Sequence, residues 1–156
     1  MGLMLTALLR GQGRSVELAD PHPERRAQAS ELGAIASQTL SKHELVFEAV
    51  GRPDTWRAAV AAALPGGAVV LVGGCPRGSE VTLDPGLIHY DELELRGTFH
   101  HAPPEVDRAL AALAHGTVPW HTLRGPTISL EDLQAALASP IRGPAVKWVV
   151  DPRLQY

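Results

Sequence analysis

Residues 54–74 read DTWRAAVAAALPGGAVVLVGG, and this stretch decides the fold. Trp56, Val60 and Ala63 recur at turn spacing, so Asp54 to Leu64 is expected as a helix. Pro65-Gly66-Gly67 breaks it. Ala68 to Gly73 (AVVLVG) is a continuous apolar run of the kind that forms a strand buried on both faces. Helix, break, buried strand and glycine are the repeating parts of a parallel α/β sheet.

The same alternation extends in both directions. Toward the amino end, Glu44 to Val50 (ELVFEAV) is a strand closed by Gly51. Pro23 starts a helix with Arg25, Ala29 and Leu32 on one face, and Gly33 ends it. Ser15 to Asp20 (SVELAD) is a short strand. Gly2 to Arg10 is a helix with Leu3, Met4, Ala7 and Leu8 on one face and Gly11 as its stop. Toward the carboxyl end, Glu92 to Phe99 (ELELRGTF) alternates polar and apolar side chains, which suits an outer strand. Pro104 opens a helix with Val106, Ala109, Leu110 and Leu113 inward and Gly116 at its end. Ser129-x-x-Asp132 resembles a capping box before Leu133, Ala136 and Leu137. Ala145 to Val150 (AVKWVV) is the last strand. Four or five strands separated by helices imply a mostly parallel, doubly wound sheet with right-handed crossovers.

The bulk numbers narrow the function. The 156 residues suffice for one domain with a core. An apolar fraction of 45%, a charged fraction of 20% and a net charge of −3 describe an ordinary globular mix. The basic residues are scattered, which argues against nucleic acid or an anionic membrane as the main partner. Runs such as Ala58 to Leu64 are far too short to span a bilayer. The start, MGLMLTALLRGQG, lacks a basic lead and a clear cleavage site, so it reads as a helix and not as a signal peptide. A single cysteine, Cys75, forms no internal disulfide and fits a reducing cytoplasm.

In a doubly wound sheet, ligands sit at the carboxyl ends of the strands. Asp20 ends SVELAD, where an acid can accept hydrogen bonds from both ribose hydroxyls of an adenosine. It would also repel a 2′-phosphate, favouring NAD over NADP. Its other reading is a turn or cap residue before Pro21 and Pro23. Gly73-Gly74 after AVVLV, and Gly51 after VFEAV, either let a ligand approach the backbone or form tight turns. Glu48 is an alternating strand position or a hydrogen-bonded partner rather than a catalyst. His100-His101 is the most suggestive histidine pair. On a continuing strand the two would face opposite ways, so they do not suit one metal ion.

Gly2-Leu3-Met4 resembles the end of the G-x-G-P-x-G-L-M segment of the medium-chain, zinc-type alcohol dehydrogenases. VELADPHPERRAQASELGA, VFEAVG, LPGGAVVLVG, ELELRGTFHH, ISLEDLQAAL and GPAVKWVV continue the resemblance in order, over nearly the whole chain. It implies a Rossmann-like domain that lacks the first strand and most of the glycine loop. Residues 1–156 would form one incomplete dinucleotide-binding domain, with about 122–156 resembling the part that returns toward the catalytic domain. Gly2 would let the first helix pack against the first strand. Asp20 would bind the adenosine ribose, and Arg25 would lie near the adenine. Val50-Gly51 and Val72-Gly73 would wall the cofactor cleft, and Thr98-Phe99-His100 would lie near the nicotinamide. Lys147 would stand close to the pyrophosphate, where a cation compensates charge; alternatively it is a surface lysine on an alternating strand.

The family's zinc is held by a separate barrel-like domain, so zinc is not expected on this chain, and a small alcohol would be engaged only where that domain is supplied. The expectation is therefore a fragment: a truncated gene, a misplaced start codon or a split protein, either marginal in stability by itself or completed by a second chain that fills the gap. Two rival readings stand beside the NAD-dependent dehydrogenase. One is an S-adenosylmethionine methyltransferase, whose second strand also ends in an acid. The other is a non-catalytic dinucleotide-binding or dimerisation remnant, with ELELRGTF as the edge through which two copies pair.

Overall fold

The computed structural model describes residues 1–138 and 147–154. In chain order the elements are α1 (Gly2–Gly11), β1 (Glu17–Ala19), α2 (Pro23–Glu31), β2 (Ile35–Ser37), β3 (His43–Glu48), α3 (Pro53–Ala61), β4 (Ala63–Leu71), α4 (Pro85–Tyr90), β5 (Glu94–Gly97), α5 (Pro103–Ala114), α6 (Trp120–Leu123), β6 (Arg124–Ile128), α7 (Leu133–Ala138) and β7 (Lys147–Val150). Every strand pairing among the described residues is parallel. The fold is α/β with parallel sheets, as the alternation of strand and helix implies. Two compact units are present, Met1–Gly2 with Thr39–Pro103 and Leu3–Gln38 with Pro104–Tyr156.

The first unit holds a three-stranded sheet in the order β3-β4-β5. β4 is its middle strand. Val69 is 0% exposed and Leu71 8%, while Val70 between them is half-buried. A strand with neighbours on both edges and cover on its faces needs such a run. Val46 of β3, Ala59 and Val60 of α3, and Leu93 before β5 complete the core, with Trp56, Leu87 and Ile88 packed against it. Burying a valine or leucine completely contributes about 1.5–3 kcal/mol, so this cluster dominates the unit's cohesion. β5 pairs with β4 alone among the described strands. Its alternation leaves Glu94 and Arg96 in solvent, as expected of an outer strand.

The second unit contains the β1-β2 pair, with α2 running between its strands, and the β6-β7 pair. Leu3, Ala7, Ala29, Ala34 and Leu123 form its core. Gly33 follows α2 at φ +80°, and its amide donates to the Ser30 carbonyl at 2.9 Å, the left-handed stop expected there.

Four readings of the sequence change. The helix before LPGG ends at Ala61, not Leu64. Strand pairing begins at Ala63, and the register jumps from His43 opposite Ala63 to Leu45 opposite Ala68. Pro65-Gly66-Gly67 is therefore a bulge inside the strand. On α1 the inward residues are Leu3, Thr6 and Ala7, whereas Met4 is 37% exposed. On α5 no residue is buried, and Val106, Leu110 and Leu113 are exposed. Helical spacing sets which residues share a face but not whether another element covers it. Of the expected strand Ala145 to Val150, Ala145 and Val146 lie outside the described residues, and β7 supplies the rest. No helix among the described residues is long and apolar enough to cross a membrane.

Candidate cofactor site

β3, β4 and β5 end at one edge of their sheet. Glu48 lies opposite Leu71, and Leu71 opposite Gly97. The segments 49–51, 72–74 and 98–100 therefore leave the sheet side by side, at the edge where open parallel sheets receive ligands.

Glu48 fixes two of these segments. It is 4% exposed. Its Oε1 accepts hydrogen bonds from the Val50 and Gly51 amides, each at 2.9 Å, and Oε2 accepts from Gly51 at 3.2 Å. Its main-chain carbonyl accepts from the Val72 amide at 2.8 Å and the Gly73 amide at 2.9 Å. A buried carboxyl group is tolerated when its oxygens have donors, and here the donors are the loop itself.

The glycines are dictated by the same contact. Gly51 has φ +85°, and a Cβ there would stand 2.6 Å from the Gly74 carbonyl oxygen. A Cβ on Gly73 would overlap the Gly51 nitrogen and stand 2.6 Å from Glu48 Oε2. The two loops touch backbone to backbone, so each requires glycine in the other. Trp56 on α3 donates from Nε1 to the Gly73 carbonyl at 2.9 Å. Gly74 differs, because nothing lies within 4 Å of a Cβ built on it. Bare backbone open to a ligand is found at Gly74, while the space at Gly51 and Gly73 is filled by the protein.

The rim is otherwise apolar and open. Val50 is 65% exposed and Phe99 89%. The Thr98 amide donates to the Leu71 carbonyl at 3.2 Å, extending the ladder past β5. Phe99 and His100 bring their rings to 4.0 Å between centroids. The strand ends at Gly97, so His100-His101 lies beyond it.

In the second unit, Asp20 follows β1. Its amide donates to the Ser37 carbonyl at 3.2 Å. Oδ1 accepts from the His22 amide at 2.9 Å, and Oδ2 lies 3.5 Å from Arg25 Nη1. Arg26 donates to the Asp20 and Pro21 carbonyls at 2.7 and 2.8 Å. The turn role read from the sequence is thus present. Each carboxyl oxygen has a second lone pair for a further donor. Val50, Gly51, Val72, Gly73, Thr98, Phe99 and His100 gather at one sheet edge, and Asp20 pairs with Arg25. Gly2 opens α1, and Lys147 opens β7 opposite Arg124. Glu48 takes the hydrogen-bonded role the sequence allowed it, and Gly74 the open-backbone reading; Trp56, read only as a helix-face residue, is in addition a donor to the Gly73 carbonyl. A half-buried indole N–H needs an acceptor, which was the one available signal for Trp56.

Residues 1–115 match the family model described as zinc-binding dehydrogenase. The chain belongs to the zinc-binding dehydrogenase family. Among solved structures it is similar to a zinc-binding dehydrogenase of Sinorhizobium meliloti 1021 bound to NADP, at 26% identity and TM-score 0.88, covering 96% of this chain and 49% of that one. It is similar to an E. coli CFT073 short chain alcohol dehydrogenase complexed with NADH, at 21% identity and TM-score 0.83, covering 95% and 48%. A third match is 2R,3R-butanediol dehydrogenase from Bacillus subtilis, at 23% identity and TM-score 0.80, covering 97% and 48%. The chain spans about half the length of these solved structures.

The rim has the shape and polarity to meet the flat end of a dinucleotide. Val50 and Phe99 offer apolar surface to a ring face, and Gly74 offers open backbone to an amide. Among the described residues no three His, Cys, Asp or Glu side chains group so that they could hold a metal ion.

Proposed function

We propose that this chain is the cofactor-binding portion of an alcohol- or polyol-type oxidoreductase that uses NAD. The observation that carries the reading is the glycine-walled rim at the carboxyl ends of β3, β4 and β5. When bound, the nicotinamide accepts or returns a hydride. Val50, Val72 and Phe99 exclude water from its ring, Gly51 and Gly73 let the two wall loops meet backbone to backbone, and Gly74 leaves backbone open beside it. Thr98 and His100 supply polar groups at the same end. Asp20 accepts the ribose hydroxyls, and its charge disfavours a 2′-phosphate, so NAD is preferred to NADP. Arg25 lies toward the adenine and Lys147 toward the pyrophosphate, by resemblance to the family. A small alcohol is engaged only where a zinc-bearing catalytic part is supplied. The single cysteine favours the cytoplasm.

A second role is favoured by one feature. β5 is an edge strand among the described strands, and two copies pairing through it would make a dimer. Titration of the chain with NADH and with S-adenosylmethionine tests the main reading. Saturable NADH binding supports it. Binding of S-adenosylmethionine alone overturns it.

A further inference from the structure

We propose that Glu48 is a positioning residue for the nicotinamide end of the cofactor. The inference rests on the dinucleotide reading above and adds a residue to it. Its basis is that one residue ties together two of the three segments of the rim. Three hydrogen bonds accepted by the Glu48 carboxyl oxygens from the Val50 and Gly51 amides hold the turn. Two more, to its carbonyl, hold Val72 and Gly73. The turn so held keeps Val50 65% exposed, presenting an apolar side chain outward although it follows a strand of the core. Oε2 also fills the space a side chain on Gly73 would take. The carboxyl group is enclosed and has its donors, so it touches no reacting atom. It acts through Val50 and the two glycines.

The replacement Glu48→Gln tests this. Glutamine keeps an acceptor at Oε1 but places an NH2 group where Oε2 accepts from Gly51, setting donor against donor. The geometry of the turn suffers while its size is unchanged. The probes are NADH and ADP-ribose, which lacks the nicotinamide. The expected result is about a tenfold loss of NADH affinity, equivalent to about 1.4 kcal/mol, with ADP-ribose affinity within about twofold of wild type. The emission of bound NADH should also move toward that of free NADH. Trp56→Phe, which removes the donor to the Gly73 carbonyl, is a milder change for use if Glu48→Gln does not fold. The same split between the two probes is expected. Equal losses for both probes, or no loss for either, overturn the positioning role. If the wild-type chain binds neither probe, it is the dinucleotide reading that fails.

Discussion

Replacing Gly51 by alanine should be the most damaging small change on the rim. Two effects add. The backbone at φ +85° lies in the left-handed region, where a Cβ costs about 1–2 kcal/mol. The new Cβ also stands 2.6 Å from the Gly74 oxygen and 2.9 Å from the Gly74 carbonyl carbon. Those are backbone atoms, held through the Glu48 carbonyl and Trp56, and they cannot swing away as a side-chain tip would. Overpacking of this kind costs about 1–3 kcal/mol. The sum is about 2–5 kcal/mol, a large share of the ~5–15 kcal/mol that holds a domain together. Two controls separate the effects. Gly66 has φ +74° but nothing within 4 Å of a built Cβ, so Gly66→Ala isolates the backbone strain at about 1–2 kcal/mol. Gly74 is open and has no strained φ, so Gly74→Ala should stay within about 0.5 kcal/mol of wild type. Urea unfolding followed by circular dichroism reads all three. The midpoint for Gly51→Ala should fall by roughly 1–2 M at unchanged slope. The reasoning is refuted if Gly51→Ala unfolds at the same urea concentration as Gly74→Ala.

Asp20→Ala should weaken NAD binding more than NADP binding, since the ribose acceptor and the repulsion of a 2′-phosphate go together; an unchanged ratio counts against the ribose role. Asp151 is bonded by the Arg153 guanidinium through Nε and Nη2, each at 2.9 Å, and by the Arg153 amide at 3.0 Å. These hydrogen bonds hold its carboxyl below the usual value of 3.8. A folded-state value below the unfolded one gives stability that is present above the unfolded pKa and lost as pH falls through the folded pKa. An NMR titration should therefore place Asp151 below its ordinary range, and Arg153→Ala should raise it toward that range. A midpoint unmoved by the substitution would show that Arg153 is not the cause.

Much of this was legible in the chain because the relevant physics is local. LPGGAVVLVG shows its buried strand through a continuous apolar run, and Pro23, Gly33 and Gly51 mark element ends by their own backbone preferences. What stayed hidden depended on neighbours. β2 is a three-residue strand, IAS, too short to show a period. α4 is announced only by Asp84-Pro85, with Asp84 capping the Gly86 amide at 2.8 Å. The apolar stripe of α5 shows its period in the sequence, but nothing in that period says whether it is covered. At the rim, the sequence showed glycines at the right places. Their reason was out of reach, because Gly51 and Gly73 meet each other across two strands, and Glu48 joins them through amides that any residue could supply.

The central proposal is that a nicotinamide dinucleotide is received at the rim formed by the carboxyl ends of β3, β4 and β5. Amide NMR shifts on titration with NADH test it most directly. The account predicts that Val50, Gly51, Gly73 and Thr98 shift together with a single midpoint. Shifts limited to the residues that begin the strands, such as Glu17, His43 and Glu94, would contradict it.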